Sequence, residues 1–205
     1  MRHPDGMIGV AETFASIQGE GAWSGTPMFF VRFAGCNLDC PWCDTDHEVT
    51  ELLDAGEIVN RIRASGMRHV CLTGGEPMHQ PIGVISLLAR LQYRRLRRVV
   101  HIETNGTVMI PLEIDWKTVS PKQGAPLSPH NDLVDEVKIV VQEGDGLPAF
   151  RDLPLARFYY VVPEASQGER SLEWAIGLVT GQPLSPVNRP LWRLGFQMHK
   201  AIGVR

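Results

Sequence analysis

Met28-Phe29-Phe30-Val31-Arg32-Phe33-Ala34-Gly35-Cys36-Asn37-Leu38-Asp39-Cys40-Pro41-Trp42-Cys43 joins an apolar run to three closely spaced cysteines. The run Met28–Phe33 is short and rich in aromatic side chains, the pattern of a strand buried on both faces. Cys36, Cys40 and Cys43 that follow it are spaced C-x3-C-x2-C. Iron–sulfur clusters are held by cysteine thiolates, normally four, so three thiolates from one loop leave one iron of a four-iron cluster in need of a non-protein ligand. The amino and carboxylate groups of S-adenosylmethionine can serve. Extended to His47, the same loop reads C-x3-C-x2-C-x3-H, which also fits a closed tetrahedral zinc site. Zinc modules of that size fold around their metal, whereas this loop follows a strand in a chain that needs no metal staple. Four cysteines, three of them clustered, do not make a disulfide framework.

The remaining composition reads as one soluble domain spanning residues 1–205. The chain is 43% hydrophobic and 21% charged, and no apolar run approaches the roughly 18 residues of a membrane span. A net charge of −3 and a pI near 6.2 argue against nucleic-acid binding, which normally goes with a basic domain. Arg90, Arg94, Arg95, Arg97 and Arg98 form a basic cluster at the end of a predicted helix, where they cap its negative terminus and solvate the surface. His3 reads as part of a loose terminus. No signal peptide is recognised, and an oxygen-sensitive cluster places the protein in the cytoplasm.

Working outward, strands are expected at Gly9–Ile17, Met28–Phe33, His69–Leu72, Val99–Glu103, Trp116–Val119, Glu136–Val141, Phe158–Val162 and Leu191–Leu194. Helices are expected from Asp54, with Glu57 as capping-box partner and Ile58, Val59 and Ile62 inward; over Pro81 to Arg94, with Ile82, Ile85, Leu88 and Leu91 inward; and over Glu169 to Val179. The segments after Glu103 and Val119 hold no amphipathic helix. A full (β/α) barrel takes about 250 residues, so the fold class is α/β, an abbreviated, partial TIM-like (β/α) barrel of about six parallel strands with few helices. Ligands collect at the carboxyl ends of such strands. There stand the cysteine loop, Thr73-Gly74-Gly75-Glu76-Pro77, Glu103-Thr104-Asn105-Gly106 and Ser120-Pro121-Lys122. Gly74 and Gly75 let backbone groups approach a ligand closely, and Glu76 offers a carboxylate for an ammonium group. Cys71 reads as a small core residue.

The cysteine loop, with Trp42 before its third cysteine, and the GGEP segment resemble the radical S-adenosylmethionine superfamily. Further segments are similar to one family within it, the 7-carboxy-7-deazaguanine synthases of queuosine and 7-deazapurine biosynthesis. These are Ser16-Ile17-Gln18-Gly19-Glu20-Gly21, Val31 to Leu38, Cys43-Asp44-Thr45, Leu72 to Pro77, Glu103 to Gly106, Ser120-Pro121-Lys122 and Gln197 to Gly203. The resemblance implies a radical S-adenosylmethionine core and a carbon–nitrogen lyase. That enzyme converts 6-carboxy-5,6,7,8-tetrahydropterin to 7-carboxy-7-deazaguanine with loss of ammonia.

The resemblance also assigns roles. Cys36, Cys40 and Cys43 ligate a [4Fe–4S] cluster, and Thr45 coordinates magnesium. Trp42, Cys43, Asp44, Gly75, Ser120, Pro121 and Lys122 contact S-adenosylmethionine. Ile17, Gln18, Gly19, Arg32, Thr73, His199 and the terminal carboxylate of Arg205 bind the substrate. Arg32 suits a carboxylate by its planar fork of donors. Plainer uses stand beside these: a local turn for Thr45, a hairpin turn for Gln18–Gly21, a surface or core histidine for His199. Where similar proteins carry Gln-Pro after a late strand, this chain reads Val161-Val162-Pro163-Glu164, so a backbone carbonyl or Glu164 is expected to substitute. The implied partners are an electron donor such as flavodoxin or ferredoxin and a second copy of the chain. An activating enzyme for glycyl-radical proteins shares the loop and the cofactor, and a non-catalytic zinc or iron–sulfur module shares the loop alone.

Overall fold

A computed structural model of the chain describes residues 6–43, 45–92, 98–182 and 191–204. In chain order it holds β1 (Met7–Ile17), β2 (Pro27–Phe33), β3 (Glu51–Asp54), α1 (Ala55–Ser65), β4 (His69–Gly74), α2 (Pro81–Gln92) and β5 (Val99–Thr104). There follow β6 (Trp116–Val119), β7 (Glu136–Val141), β8 (Phe158–Pro163), α3 (Glu169–Thr180), β9 (Trp192–Leu194) and the short α4 (Met198–Ile202). The strands form one nine-stranded sheet in the order β3-β1-β2-β4-β5-β6-β7-β8-β9. From β2 through β9 neighbouring strands run parallel. This is the abbreviated α/β barrel expected, with seven parallel strands among the described residues, an antiparallel setting for the expected first strand and one strand, β3, that was not expected. β1 is the antiparallel arm of a hairpin with β2, and β3 pairs with its outer edge.

Alternation along the strands sorts the two faces of the sheet. Phe29, Val31 and Phe33 of β2, Val70 and Leu72 of β4, and Val100 and Ile102 of β5 join the core formed with α1, α2 and α3. The intervening residues point to the other face, where Met28, Phe30 and Cys71 form a small cluster with Phe14 and Trp23. Trp23, from the β1–β2 connection, lies against His69, His101 and Trp116, with ring centroids 5.1, 5.1 and 5.5 Å away. It closes the inner face near the strands' amino ends and leaves the carboxyl ends open.

α1 begins as expected: Asp54 accepts from the amides of Gly56 and Glu57, and Glu57 accepts from the amide of Asp54. Ala55, Ile58, Val59 and Ile62 are buried. α2 is rotated from its expected phase. Val84, Leu87, Leu88 and Leu91 are buried, while Ile82 is 78% and Ile85 57% exposed. The correction has a simple cause, since both faces of this helix carry aliphatic residues and only the neighbouring α1 and sheet decide which is covered. The expected end of α2 at Arg94, and Arg95 and Arg97 beyond it, lie outside the described residues, as does His3. Among the described residues no helix is long and apolar enough to cross a membrane.

Candidate active site

The cysteine loop leaves the sheet after Phe33, and its neck is closed by the amide of Gly35 donating to the carbonyl of His47 at 2.8 Å. Within the loop the amide of Cys43 donates to the carbonyl of Cys40 at 3.0 Å. Asn37 anchors the loop from outside. It donates to Thr107 Oγ1 and accepts from Asn105 Nδ2, both at 2.8 Å, so the Glu103–Gly106 segment holds the loop in place. Cys36 and Cys40 are half-buried and Cys43 exposed; all three line one cavity of about 680 Å³ at the carboxyl ends of the strands. Among the described residues no three His, Cys, Asp or Glu side chains close on a point that would hold a single ion. Three soft donors spread over one wall suit a multi-iron cluster, which takes thiolates on separate irons.

The glycines of the GGEP segment have a structural requirement beyond the ligand approach expected of them. Gly74 has φ +127°, and a Cβ there would stand 2.2 Å from the carbonyl oxygen of Phe33; one at Gly75 would stand 2.1 Å from that of Gly35. The glycines are required by the approach of two backbones, sealed by the amides of Gly75 and Glu76 donating to Phe33 and Gly35. Gly75 still lines the cavity. Glu76 does not offer itself to a ligand. It is fully buried, and its carboxylate accepts from Thr104 Oγ1 at 2.6 Å, the amide of Asn105 at 2.7 Å and the amide of Met78 at 2.9 Å. It fastens β4 to β5. Glu164 is likewise turned away, its carboxylate accepting from the amide and hydroxyl of Ser166.

Most other expected positions meet in the same cavity. Trp42, Ser120, Lys122 and Thr45 line it, and so do Ile17, Gln18, Gly19, Arg32, Thr73 and His199; Pro121 does not. Asp44 and Arg205 lie outside the described residues. The Lys122 ammonium donates to Ser120 Oγ at 2.7 Å and stands 5.2 Å from the centre of the Trp42 ring, joining the Ser120–Lys122 motif to the cysteine loop. Burial, helped by the charge of Lys138, lowers the Lys122 pKa to about 8. Arg32 donates through Nε to Glu12 at 2.8 Å. The terminal segment folds over the Gln18–Gly19 turn, which is both hairpin connection and cavity wall: the amide of Met198 donates to the Gly19 carbonyl, and the His199 ring occupies the space a Cβ at Gly19 would need. Gln197 donates to Glu20 at 2.8 Å.

Of the charged floor, sequence reasoning offered the side chain of Glu20 to the pterin edge and placed Glu103 in a rim motif, but it missed Glu136 and Lys138. Lys138 is ion-paired with Glu20 and lies 3.9 Å from Glu103, which also accepts from Gln18 at 2.9 Å and Thr73 at 3.3 Å. Burial works to lower the Lys138 pKa, but the carboxylates of Glu103 and Glu20 outweigh it and hold the ammonium well above the ordinary lysine value. The signal was present: in Glu136-Val137-Lys138 two charges alternate with an apolar residue in a central strand, which marks the face turned to a cavity.

Glu136 is 3% exposed and accepts from the amide of Ala22 at 2.9 Å. Burial raises its pKa to about 7, with Glu103 and Glu20 adding to the effect. The unfolded value is lower, so the native state favours the proton. Its contribution to stability is complete below about pH 4.5 and is lost as pH rises through about 7. Glu136→Gln should therefore flatten this decline, by up to about 3 kcal/mol, when denaturant unfolding of the two proteins is compared across that interval. Parallel pH curves would contradict it.

The comparisons with known proteins agree with this geometry. The model of the Radical SAM superfamily matches residues 30–116, which contain the cysteine loop, GGEP and the Glu103–Gly106 segment. The chain is 38% identical over 199 residues to the 7-carboxy-7-deazaguanine synthase of Bacteroides thetaiotaomicron, covering 97% of this chain and 100% of that one. It is 36% identical to the synthase of the same name from Haemophilus influenzae, covering 95% and 93%. The crystal structure of QueE from Escherichia coli shares the fold, with a TM-score of 0.70 at 24% identity over 94% of this chain and 95% of that one. The chain belongs to the 7-carboxy-7-deazaguanine synthase family of the radical S-adenosylmethionine superfamily.

Proposed function

We propose that this chain is a radical S-adenosylmethionine lyase that converts 6-carboxy-5,6,7,8-tetrahydropterin to 7-carboxy-7-deazaguanine with loss of ammonia. One observation carries the reading: the cysteine loop, the Trp42–Lys122 contact and the wall formed by Gln18, Arg32 and His199 share a single cavity of about 680 Å³, within the range of small-molecule sites. When bound, the cluster and S-adenosylmethionine supply a carbon-centred radical, and the protein supplies binding, orientation and exclusion of water.

Cys36, Cys40 and Cys43 would hold the cluster. Trp42, Cys43, Asp44, Gly75 and Ser120–Lys122 would hold S-adenosylmethionine. Arg32, braced by Glu12, would receive the substrate carboxylate, and a magnesium ion on Thr45 would share it, since hard cations prefer oxygen donors. Ile17, Gln18, Gly19 and Thr73 would border the pterin. His199 and the terminal carboxylate of Arg205 would close the site, an enclosure suited to a small molecule rather than to the loop of a partner protein. The working protein would be a cytoplasmic homodimer reduced by flavodoxin or ferredoxin.

The deciding experiment is an anaerobic assay of the reconstituted protein with dithionite and S-adenosylmethionine, with and without the pterin, following 5′-deoxyadenosine and deazaguanine by mass spectrometry. Deazaguanine that forms only with the pterin supports the reading. 5′-Deoxyadenosine without it would point to another substrate. In the same assay Arg32→Ala should weaken pterin binding by about 2 kcal/mol or more, the scale of a broken buried charge contact, while sparing slow uncoupled cleavage. Unchanged affinity would remove Arg32 from the site.

A further inference from the structure

Four charged side chains meet under the cavity: Glu20 from the β1–β2 connection, Glu103 from β5, and Glu136 and Lys138 from β7. Glu20, Glu103 and Lys138 line the large cavity and Glu136 does not. With Glu20 and Glu103 it lines instead a second space of about 10 Å³, bordered also by Gln18, Trp23 and His101 and about large enough for one water molecule. Trp23 Nε1, on a residue that borders this space, is buried without a hydrogen-bond partner, as a group that meets a water there would be.

Lys122 and His199 bear on Glu20 from the cavity side, but the charges acting on Glu136 are the Lys138 ammonium and the carboxyl groups of Glu103 and Glu20; there negative charge is in surplus, and a buried carboxyl relieves such a surplus by keeping its proton. The hydrogen bonds say which one. Glu20 has Lys138 and Gln197, and Glu103 has Gln18, Thr73 and the nearby Lys138, whereas Glu136 has the amide of Ala22. His101 adds no positive charge near neutral pH, because burial and His69 lower its pKa to about 4. Trp23, Trp116 and Thr118 complete the surroundings and are neutral.

We propose that Glu136 is a proton store linked to ligand binding: it carries a proton in the ligand-free protein and releases it when a heterocycle places amino or imino donors against Glu20 and Glu103. Donors supply to those carboxylates what the proton supplied to the cluster, so binding and proton release are coupled. A ligand presenting acceptors to the same wall leaves the proton in place, which makes the store a device for selecting the donor edge. Its position near neutrality agrees with burial holding Glu136 at about 7. The choice of ligand rests on the pterin reading above; the proton on Glu136 does not.

The test is calorimetry of the anaerobic, reconstituted protein with 6-carboxytetrahydropterin, near pH 7, in two buffers of different ionisation enthalpy. Wild type should release up to about half a proton per ligand bound, the share Glu136 holds at that pH, and Glu136→Gln, which keeps an acceptor for Ala22, should release close to none. Equal release from both, or none from wild type, overturns the proposal. Should the pterin not bind, the substrate reading fails by itself, and infrared titration of the ligand-free protein decides the store. Wild type should lose a protonated-carboxyl band as pH rises through about 7, and Glu20→Gln, which removes one negative neighbour, should move that midpoint lower. Absence of the band, or a midpoint indifferent to Glu20→Gln, overturns it.

Discussion

Replacing Cys40 with alanine should remove the visible absorbance of the reconstituted protein and reduce 5′-deoxyadenosine formation below detection, without moving its thermal unfolding. The first half follows from the donor set. Clusters of this kind normally take four thiolates; this loop offers three and leaves the fourth place to the cofactor, so a second vacancy leaves two donors for four irons. The second half follows from how the loop is held. Cys40 contributes a backbone carbonyl to the turn with Cys43, and the neck at Gly35 and His47 and the anchor at Asn37 do not involve its thiol. Iron content, the visible spectrum and cleavage would be measured beside a melting curve. Retained iron with retained cleavage would refute the assignment of the loop, and a collapsed melting curve would refute the account of its anchoring.

Lys138→Met should cost about 3–5 kcal/mol of folding stability, the range for removing one partner of a buried ion pair. The substituted side chain matches lysine's apolar stem in length, so the loss isolates the charge. Glu20 and Glu103 would then face each other across the floor without the ammonium that separates them. Adding Glu20→Gln to the same chain should restore a substantial part of the loss, since it removes one of the two stranded charges. Denaturant midpoints of the four proteins in this cycle provide the coupling energy. A cycle showing no coupling would mean that Lys138 acts by packing alone.

What the sequence made legible divides along a physical line. Trp116–Val119 and Glu136–Val141 were found with their observed limits, because β-branched and apolar runs bounded by acidic residues and glycine-containing segments speak for themselves. The capping box at Asp54 and Glu57 was found because every group in it lies within one turn of helix. β3 was missed: Glu51-Leu52-Leu53-Asp54 is too short to display a period, and only its pairing with Met7–Val10 makes it a strand. The face of α2 was misassigned because its aliphatic residues encircle the helix. Glu76 was misread for a related reason, since its partners Thr104 and Asn105 stand at the end of another strand and just beyond it, and nothing near GGEP announces them. In the site, motifs identified the rim, where each loop carries its own chemistry. Glu20 and Glu103 stood within rim motifs, but Glu136 and Lys138 escaped because they acquire meaning only when β7 is brought beside those two segments.

The neck at Gly35 and His47 has a bearing on biogenesis. Residues 36–46 leave the sheet and come back to a point one hydrogen bond away, while the buried core of strands and helices is complete without them. In a zinc finger the metal is the fold, and the apo chain is unfolded. Here the core does not include the loop, so folding should not depend on metal acquisition: the sheet would close first and the loop would take iron and sulfide afterwards. Loss of the cluster to oxygen would in turn leave the folded scaffold in place, ready for repair in situ.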